Sequence, residues 1–295
     1  MDASWDDIRI FLQVARSEGL SSAGRHLKMD PATVGRRIGR LETSIGAVLF
    51  LRSPQGYALT EAGTRFLAHA EEAEEALQAG GDALGGSTEQ LSGQIRIGAP
   101  DGSANYLLPQ VCAAIQADNP GLEIQILAAP RLINLSKREA DMAVMVSRPE
   151  TGRLTVQKIV DYKLHLATAD PKLQQIARLE DLKGVPVVGY IQDMIFDSNL
   201  DYLAEVGASS VQLSSNSVAV QTMMLRAGGG VGIVHDFVLP FAPELKPILT
   251  DQISLTRTFY LVRHASDRRS DRLQRFAALL VDGIRREIVH LTGPA

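Results

Sequence analysis

Residues 21–42, SSAGRHLKMDPATVGRRIGRLE, constrain the fold more than any other stretch. They read as a short helix, a tight break and a second helix that starts at Pro31. Asp30 at an N-cap accepts hydrogen bonds from the first free amides, and Pro31 at the first helical position has no amide to leave unpaired. From there Val34, Ile38, Leu41 and Ile45 form an inward face, while Ala32, Thr33, Gly35, Arg36 and Arg37 point outward. Upstream, Ile8, Phe11, Leu12 and Ala15 make one apolar stripe of a first helix, with Gly19 as its expected stop. Ser21 or Ser22 is the expected cap of the next helix, which carries Ala23 and Leu27. Three short helices ending in a capped basic one form a helix-turn-helix, whose last helix enters the major groove with its N-terminal residues on base edges. Small residues there allow close approach, Thr33 offers a hydroxyl or a methyl, and arginines reach guanine edges or phosphates. The candidate DNA contacts are therefore Ser22, Pro31, Ala32, Thr33, Arg36, Arg37 and Arg40. An ordinary three-helix bundle with a solvated basic face is the alternative at this point.

Charge distribution favours the first reading. The chain of 295 residues carries a net charge of −4. Yet from Arg25 to Arg52 there are six basic groups (Arg25, Lys28, Arg36, Arg37, Arg40, Arg52) and two acidic ones (Asp30, Glu42), a local balance of 6 − 2 = +4. Glu71, Glu72, Glu74 and Glu75 follow at once. A compact basic patch on an acidic body suggests one defined anionic partner site.

The segment LFLRSPQGYALTEAG, residues 49–63, reads as two short strands around a Ser-Pro-Gln-Gly turn, followed by a helix with Thr60 at its N-cap. A two-stranded wing after the recognition helix makes the module a winged helix-turn-helix, with Arg52 at the wing base beside the DNA backbone. The Ala- and Glu-rich helix 61–84 has a narrow stripe of Phe66, Ala70, Ala73 and Leu77. A stripe this narrow suits pairing between subunits, so these four residues are the candidate dimerisation seam of a homo-oligomer, dimer or tetramer. Residues 79–94 lose periodicity and gain Gly, Ser and Thr, as a linker does.

On these residues the chain resembles the LysR-type transcriptional regulators. The stretch SSAGRHLKMDPATVGRRIGRLETSIGAVLFLRSPQGYALTEAG is very similar to that family's DNA-binding signature, and GQIRIGAP, READMAV, SRPETGRL and LRAGGGVGIV resemble blocks of its effector-binding domain. One position departs: Gly35 stands where the family often has Ser, so a side-chain contact to DNA is expected to be missing there.

From Gly93 onward, apolar strands alternate with helices, which means an α/β domain with mostly parallel sheets. A helix NYLLPQVCAAIQADNP, a helical turn over LINLSKREA, a strand KLHLATA, a helix near 196–206 and a helix VAVQTMMLRAGG are among the expected elements. The resemblance implies a two-lobed, periplasmic-binding-protein-like (type 2) fold. The expected organisation is a DNA-binding domain over 1–60, a linker and dimerisation helix over 61–92, and an effector-binding domain over 93–295. Its first lobe would be 93–162 plus 266–295, its second 163–265, and the chain would cross between lobes twice.

In open α/β sheets ligands sit at the carboxyl ends of strands, beside helix N-termini. That rule selects Asp101, Ser103 and Asn105 after the first strand, then Arg131, Tyr190, Asn216, Ser217 and His235. Asp101 and Asn216 also fit turn or capping roles, Arg131 a solvated arginine, and His235 a core histidine. Arg131 would favour an anionic effector such as a carboxylate.

Enzyme motifs are missing: there is no G-x-S-x-G elbow, no HExxH and no Walker sequence. The glycines of AGGGVG, 227–232, follow a helix and open a strand, the reverse of a nucleotide loop. The single cysteine, Cys112, excludes an internal disulfide and a CxxC metal site, and reads as a buried, inert thiol. No cofactor and no metal are expected. Mean hydropathy is +0.01, with no run long enough for a membrane span and no basic-then-apolar leader, so the expected location is the cytoplasm. The leading expectation is a sequence-specific transcription regulator that binds double-stranded operator DNA, responds to a small-molecule effector and catalyses nothing. The alternatives are a DNA binder without an effector, and an enzyme or solute-binding domain fused to a helix-turn-helix.

Overall fold

A computed structural model of the chain describes residues 3–53, 56–84, 90–128, 133–135, 139–149, 152–202, 207, 210–265, 267 and 270–293. Two compact units divide the chain near residue 88.

The first unit runs α1 (Trp5–Ser17), α2 (Leu20–Leu27), α3 (Pro31–Ile45), β1 (Phe50–Ser53), β2 (Gly56–Leu59) and α4 (Glu61–Leu84). Its core is Ile10, Phe11, Leu12 and Val14 of α1, Ala23 of α2, Val34, Ile38 and Leu41 of α3, and Leu49 and Phe50 at the wing. The junction between the first two helices corrects the sequence reading by one residue. Glu18 itself takes the left-handed conformation that stops α1 (φ 54), and Gly19 is extended at the N-cap of α2. Ser21 and Ser22 thus lie inside the first turn of α2 and do not cap it. The early stop frees the Glu18 carbonyl, which accepts the Tyr57 amide of the wing at 3.0 Å. Gly56 is required at that crossing. Its φ is +138°, and a Cβ there would stand 2.4 Å from the same carbonyl oxygen.

In the wing, Phe50 pairs with Leu59 and Ser53 with Gly56, antiparallel. Thr60 caps α4 as expected, accepting the Gly63 amide at 2.9 Å. A side chain at Gly63 would collide with the Leu49 carbonyl oxygen at 2.1 Å, so glycine there lets α4 lie on the wing.

The second unit is built on β3 (Ser92–Ala99), α5 (Asp101–Tyr106), α6 (Leu108–Asp118), β4 (Gly121–Ala128), β5 (Met142–Met145), β6 (Leu154–Thr168), β7 (Val187–Gly189), β8 (Leu213–Ser214), α7 (Val218–Arg226), β9 (Val231–His235), β10 (Lys246–Pro247), β11 (Leu255–His264) and α8 (Asp271–Thr292). Its strands form one sheet in the order β4-β3-β5-β11-β6-β9-β7-β8, with β10 on β6. Pairing is parallel within the β4-β3-β5 half and within the β9-β7-β8 half. Between the halves β6 and β11 run antiparallel to each other and to their neighbours. The expected mostly parallel pattern therefore holds only inside each half. A crossing strand and a returning strand laid side by side must point in opposite directions.

Three further expectations change. KLHLATA is no separate strand but the second half of the 15-residue β6. The single helix expected over NYLLPQVCAAIQADNP is two, because α5 begins earlier, at Asp101, and a break at Leu107 precedes α6, with Pro109 in its first turn. The helix expected near 196–206 is a single 3-10 turn, Ser198–Leu200, capped by the Asp197 carboxylate. Residues 203–206 of that expectation, and 132 and 136–138 of the expected turn region, lie outside the described residues. Among the described residues no helix is long and apolar enough to cross a membrane.

Candidate DNA-binding and effector sites

The Asp30 carboxylate accepts the Ala32 amide at 2.8 Å and the Thr33 amide at 3.4 Å, which fixes a blunt start for α3. Ala32 and Arg36 are exposed on that turn, and Pro31 and Thr33 are half-exposed beside them. Arg36 bonds Thr33 Oγ1 at 3.4 Å and makes no ion pair among the described residues. Ser22 is half-buried on α2, its carbonyl facing the His26 ring at 2.9 Å.

The other arginines are not free. Asp7 of α1 is 2% exposed and receives Arg37 Nε on one oxygen and Arg40 Nε on the other, each at 2.7 Å. Arg40 Nη2 adds a third bond, also 2.7 Å. Hydrogen bonds from Arg40, and next from Arg37, hold the Asp7 carboxyl below its ordinary 3.8 against the opposing cost of burial. Arg37 and Arg40 thus cross-brace α1 and α3 while their outer edges remain accessible. Likewise Arg52 is held by Glu42 at 2.9 Å, and the other Glu42 oxygen accepts the Leu49 amide at 2.8 Å. The Cβ position of Gly35 faces Leu20 of α2 at 3.1 Å, so this glycine eases helix packing.

The α4 stripe splits in two. Phe66 meets Phe11 with ring centroids 5.1 Å apart, and Ala70 is 4% exposed within the same core. An ion pair between Arg16 and Glu74 at 2.5 Å holds the helix to α1. Ala73 and Leu77 are exposed. The first half of the predicted seam is therefore occupied by its own unit.

In the second unit, Asp101 and Ser217 are brought together. The Asp101 carboxylate accepts the Ser217 hydroxyl at 3.0 Å and the Ala219 amide at 3.2 Å, at the N-terminus of α7. Ser103 is buried and donates to the Pro100 carbonyl at 3.0 Å, and Asn105 is exposed and donates to the Asp101 carbonyl at 2.8 Å. Asn216 is half-buried next to Ser217. The two candidate effector segments bond directly to each other. The physical reason is local: free amides at the start of α7 attract a carboxylate, and α5 supplies one.

Tyr190 lines a cavity of about 30 Å³ inside the second lobe with Val188, Tyr202 and Gln221, the last from the first turn of α7. Burial pushes its hydroxyl pKa up. His235 is 5% exposed and stacks on Tyr162 with centroids 5.6 Å apart. Burial lowers its pKa to about 4, so it is a neutral core side chain. Arg131 lies outside the described residues.

Two family models cover the chain. The bacterial regulatory helix-turn-helix protein, lysR family, matches residues 5–64, and the LysR substrate binding domain matches 88–285. The chain belongs to the LysR family. It is a DNA-binding transcriptional regulator with an effector-binding domain. Among relatives, the HTH-type transcriptional regulator CrgA of Neisseria meningitidis serogroup C (strain 8013) is 22% identical over 96% of this chain and 97% of its own length. A probable hydrogen peroxide-inducible genes activator of Mycobacterium xenopi is 30% identical over 54% of this chain and 86% of its own. Among solved structures, a full-length OxyR variant from Pseudomonas aeruginosa superposes with a TM-score of 0.71 at 18% identity, covering 97% of this chain and 95% of that one. These relatives are regulators, not enzymes.

Sequence reasoning missed five side chains at these candidate sites. Asp7 carries a signal that periodicity alone passes over: it lies four residues before Phe11, on the same buried face of α1. Glu42 was counted as a charge rather than as the clamp of the wing. Ser147, whose hydroxyl donates to the Asp197 carboxylate, and Phe196 beside Asp197 carry no local signal, because the two segments lie 50 positions apart.

Proposed function

We propose that this regulator binds double-stranded operator DNA as a homo-oligomer, dimer or tetramer, and that a small-molecule effector acting between the lobes of its second unit sets the DNA-binding state. The carrying observation is the start of α3: an Asp30-capped turn that leaves Ala32 and Arg36 exposed at the end of a helix sized for the major groove. Arg36 reads a base edge. Pro31, Ala32 and Thr33 let the helix approach, with Ser22 on the facing helix at the backbone. Arg37, Arg40 and Arg52 present their outer edges to phosphates. Asp101, Ser103, Asn105, Asn216 and Ser217 border the seam where the effector acts, and Arg131 favours an anionic one. Ala73 and Leu77 pair α4 with its counterpart in a second copy. The protein works in the cytoplasm and catalyses no reaction.

Anisotropy titrations on the DNA upstream of its own gene test this reading. Arg36→Ala should lose about 1–3 kcal/mol on the preferred sequence and little on unrelated duplex. Equal losses on both would reduce Arg36 to a phosphate contact, and wild-type affinity on both would remove α3 from the interface.

A further inference from the structure

The seam between the lobes is filled by the chain itself, in two reciprocal contacts. From the first lobe, the Asp101 carboxylate occupies the N-terminus of α7 on Ser217 Oγ and the Ala219 amide, at 3.0 and 3.2 Å. From the second lobe, Asp197 accepts a short hydrogen bond from the Ser147 hydroxyl, just past the end of β5. Next to Asp197, Phe196 covers a crevice walled by Ala99, Pro100, Ile133 and Val146, and only about 10 Å³ remains open there. That is at the lower limit for one water. Pro100 belongs to this wall, and the next residue in the chain is Asp101. The crevice lies at the carboxyl ends of β3 and β5, where an α/β sheet takes a ligand.

We propose that Asp101 and Phe196 are built-in occupants of the effector crevice, displaced by an effector that combines a carboxylate with a compact apolar body. The proposal rests on the reading that a small molecule controls the protein from between these lobes. The ligand class follows from what each occupant satisfies. A hydroxyl and a free helix-end amide are better matched by an anion than by a neutral acceptor. The walls that receive Phe196 are aliphatic, and they offer no partner to a polar body. An internal occupant also reduces apparent affinity, because ligand binds only the fraction of molecules in which the occupant has left. Weak effector affinity in the wild type is then a property of the closed seam. Displacement supplies the switch: the ligand favours the state with both side chains released, and that state alters the spacing of the lobes.

Two measurements on the full-length protein test the proposal. Hydrogen exchange without ligand reads the latch alone. Asp101→Ala, and the size-preserving Asp101→Asn, should speed exchange of the amides at 218–221 and at 146–148 relative to wild type. Calorimetric titration with phenylacetate and with its neutral analogue phenylacetamide reads the ligand class. Phe196→Ala should bind phenylacetate about tenfold more tightly than wild type, with phenylacetamide weaker than phenylacetate in every variant. Unchanged exchange in both Asp101 variants would overturn the latch while leaving an effector reading intact. Faster exchange with no gain in phenylacetate affinity, or equal binding of acid and amide, would overturn the assignment of ligand class. An operator footprint that no metabolite alters, in a protein whose Asp101 variants do loosen, would instead count against small-molecule control itself.

Discussion

Asp7→Ala removes the acceptor of three 2.7 Å bonds at once. Taking one partner from a buried ion pair costs about 3–5 kcal/mol when the stranded charge stays dry. Here the Arg37 and Arg40 side chains keep 25% and 59% of their exposure, so water recovers part of that cost. We expect the first unit to lose about 2–3 kcal/mol, a fall in its unfolding midpoint on the order of 10 °C. Trp5, the only tryptophan, opens α1 two residues before Asp7, so its fluorescence follows this unit in the intact chain. The pH dependence has a definite sign. A carboxyl whose folded pKa is lowered stabilises the fold above its unfolded value, and that contribution disappears as pH falls through the folded value. The gap between wild type and Asp7→Ala should therefore be constant from about pH 7 to 5 and close below 3.8. A loss under about 0.5 kcal/mol at pH 7 would refute the cross-brace. So would a gap that persists unchanged in strong acid.

Other substitutions test the remaining links. Asp30→Ala removes the α3 cap and should cost about 0.5–2 kcal/mol in the same Trp5 assay. Ala73→Glu or Leu77→Glu should shift sedimentation toward monomer, whereas Phe66→Ala should mainly destabilise the first unit, because Phe66 packs on Phe11. Burial pushes the Cys112 thiol up to about 12, so native protein should resist alkylation at pH 8 until it is unfolded in denaturant.

Local signals carried the first unit well. The Asp30-Pro31 start, the inward face of α3, the wing and the Thr60 cap each depend on residues close in sequence, and each is found within a residue or two of its expected place. The arginines were harder. Periodicity placed Arg37 on the outer face, but it does not show that a buried carboxylate from α1 waits beside it. The α4 stripe misled for a related reason: a narrow apolar stripe on one helix does not say whether it meets its own domain or another copy, and Phe66 and Ala70 meet their own. In the second unit the alternation of strands and helices was legible. The single continuous sheet was not, because the antiparallel pairing of β6 with β11 joins residues about a hundred positions apart. The seam followed the same pattern. The position of Asp101 and Ser217 past strand ends is legible in the sequence, yet that they satisfy each other is fixed only by the meeting of the lobes.

On the proposed function, α3 reads a specific DNA sequence through its N-terminal turn. Selection from a pool of randomised duplexes by the full-length protein tests it most directly, with wild type and Arg36→Ala run side by side. Wild type should enrich a site made of two related half-sites, spaced by about one helical turn or more, and Arg36→Ala should lose preference at one defined position in each half. Enrichment of the same site, to the same degree, by both proteins would contradict it.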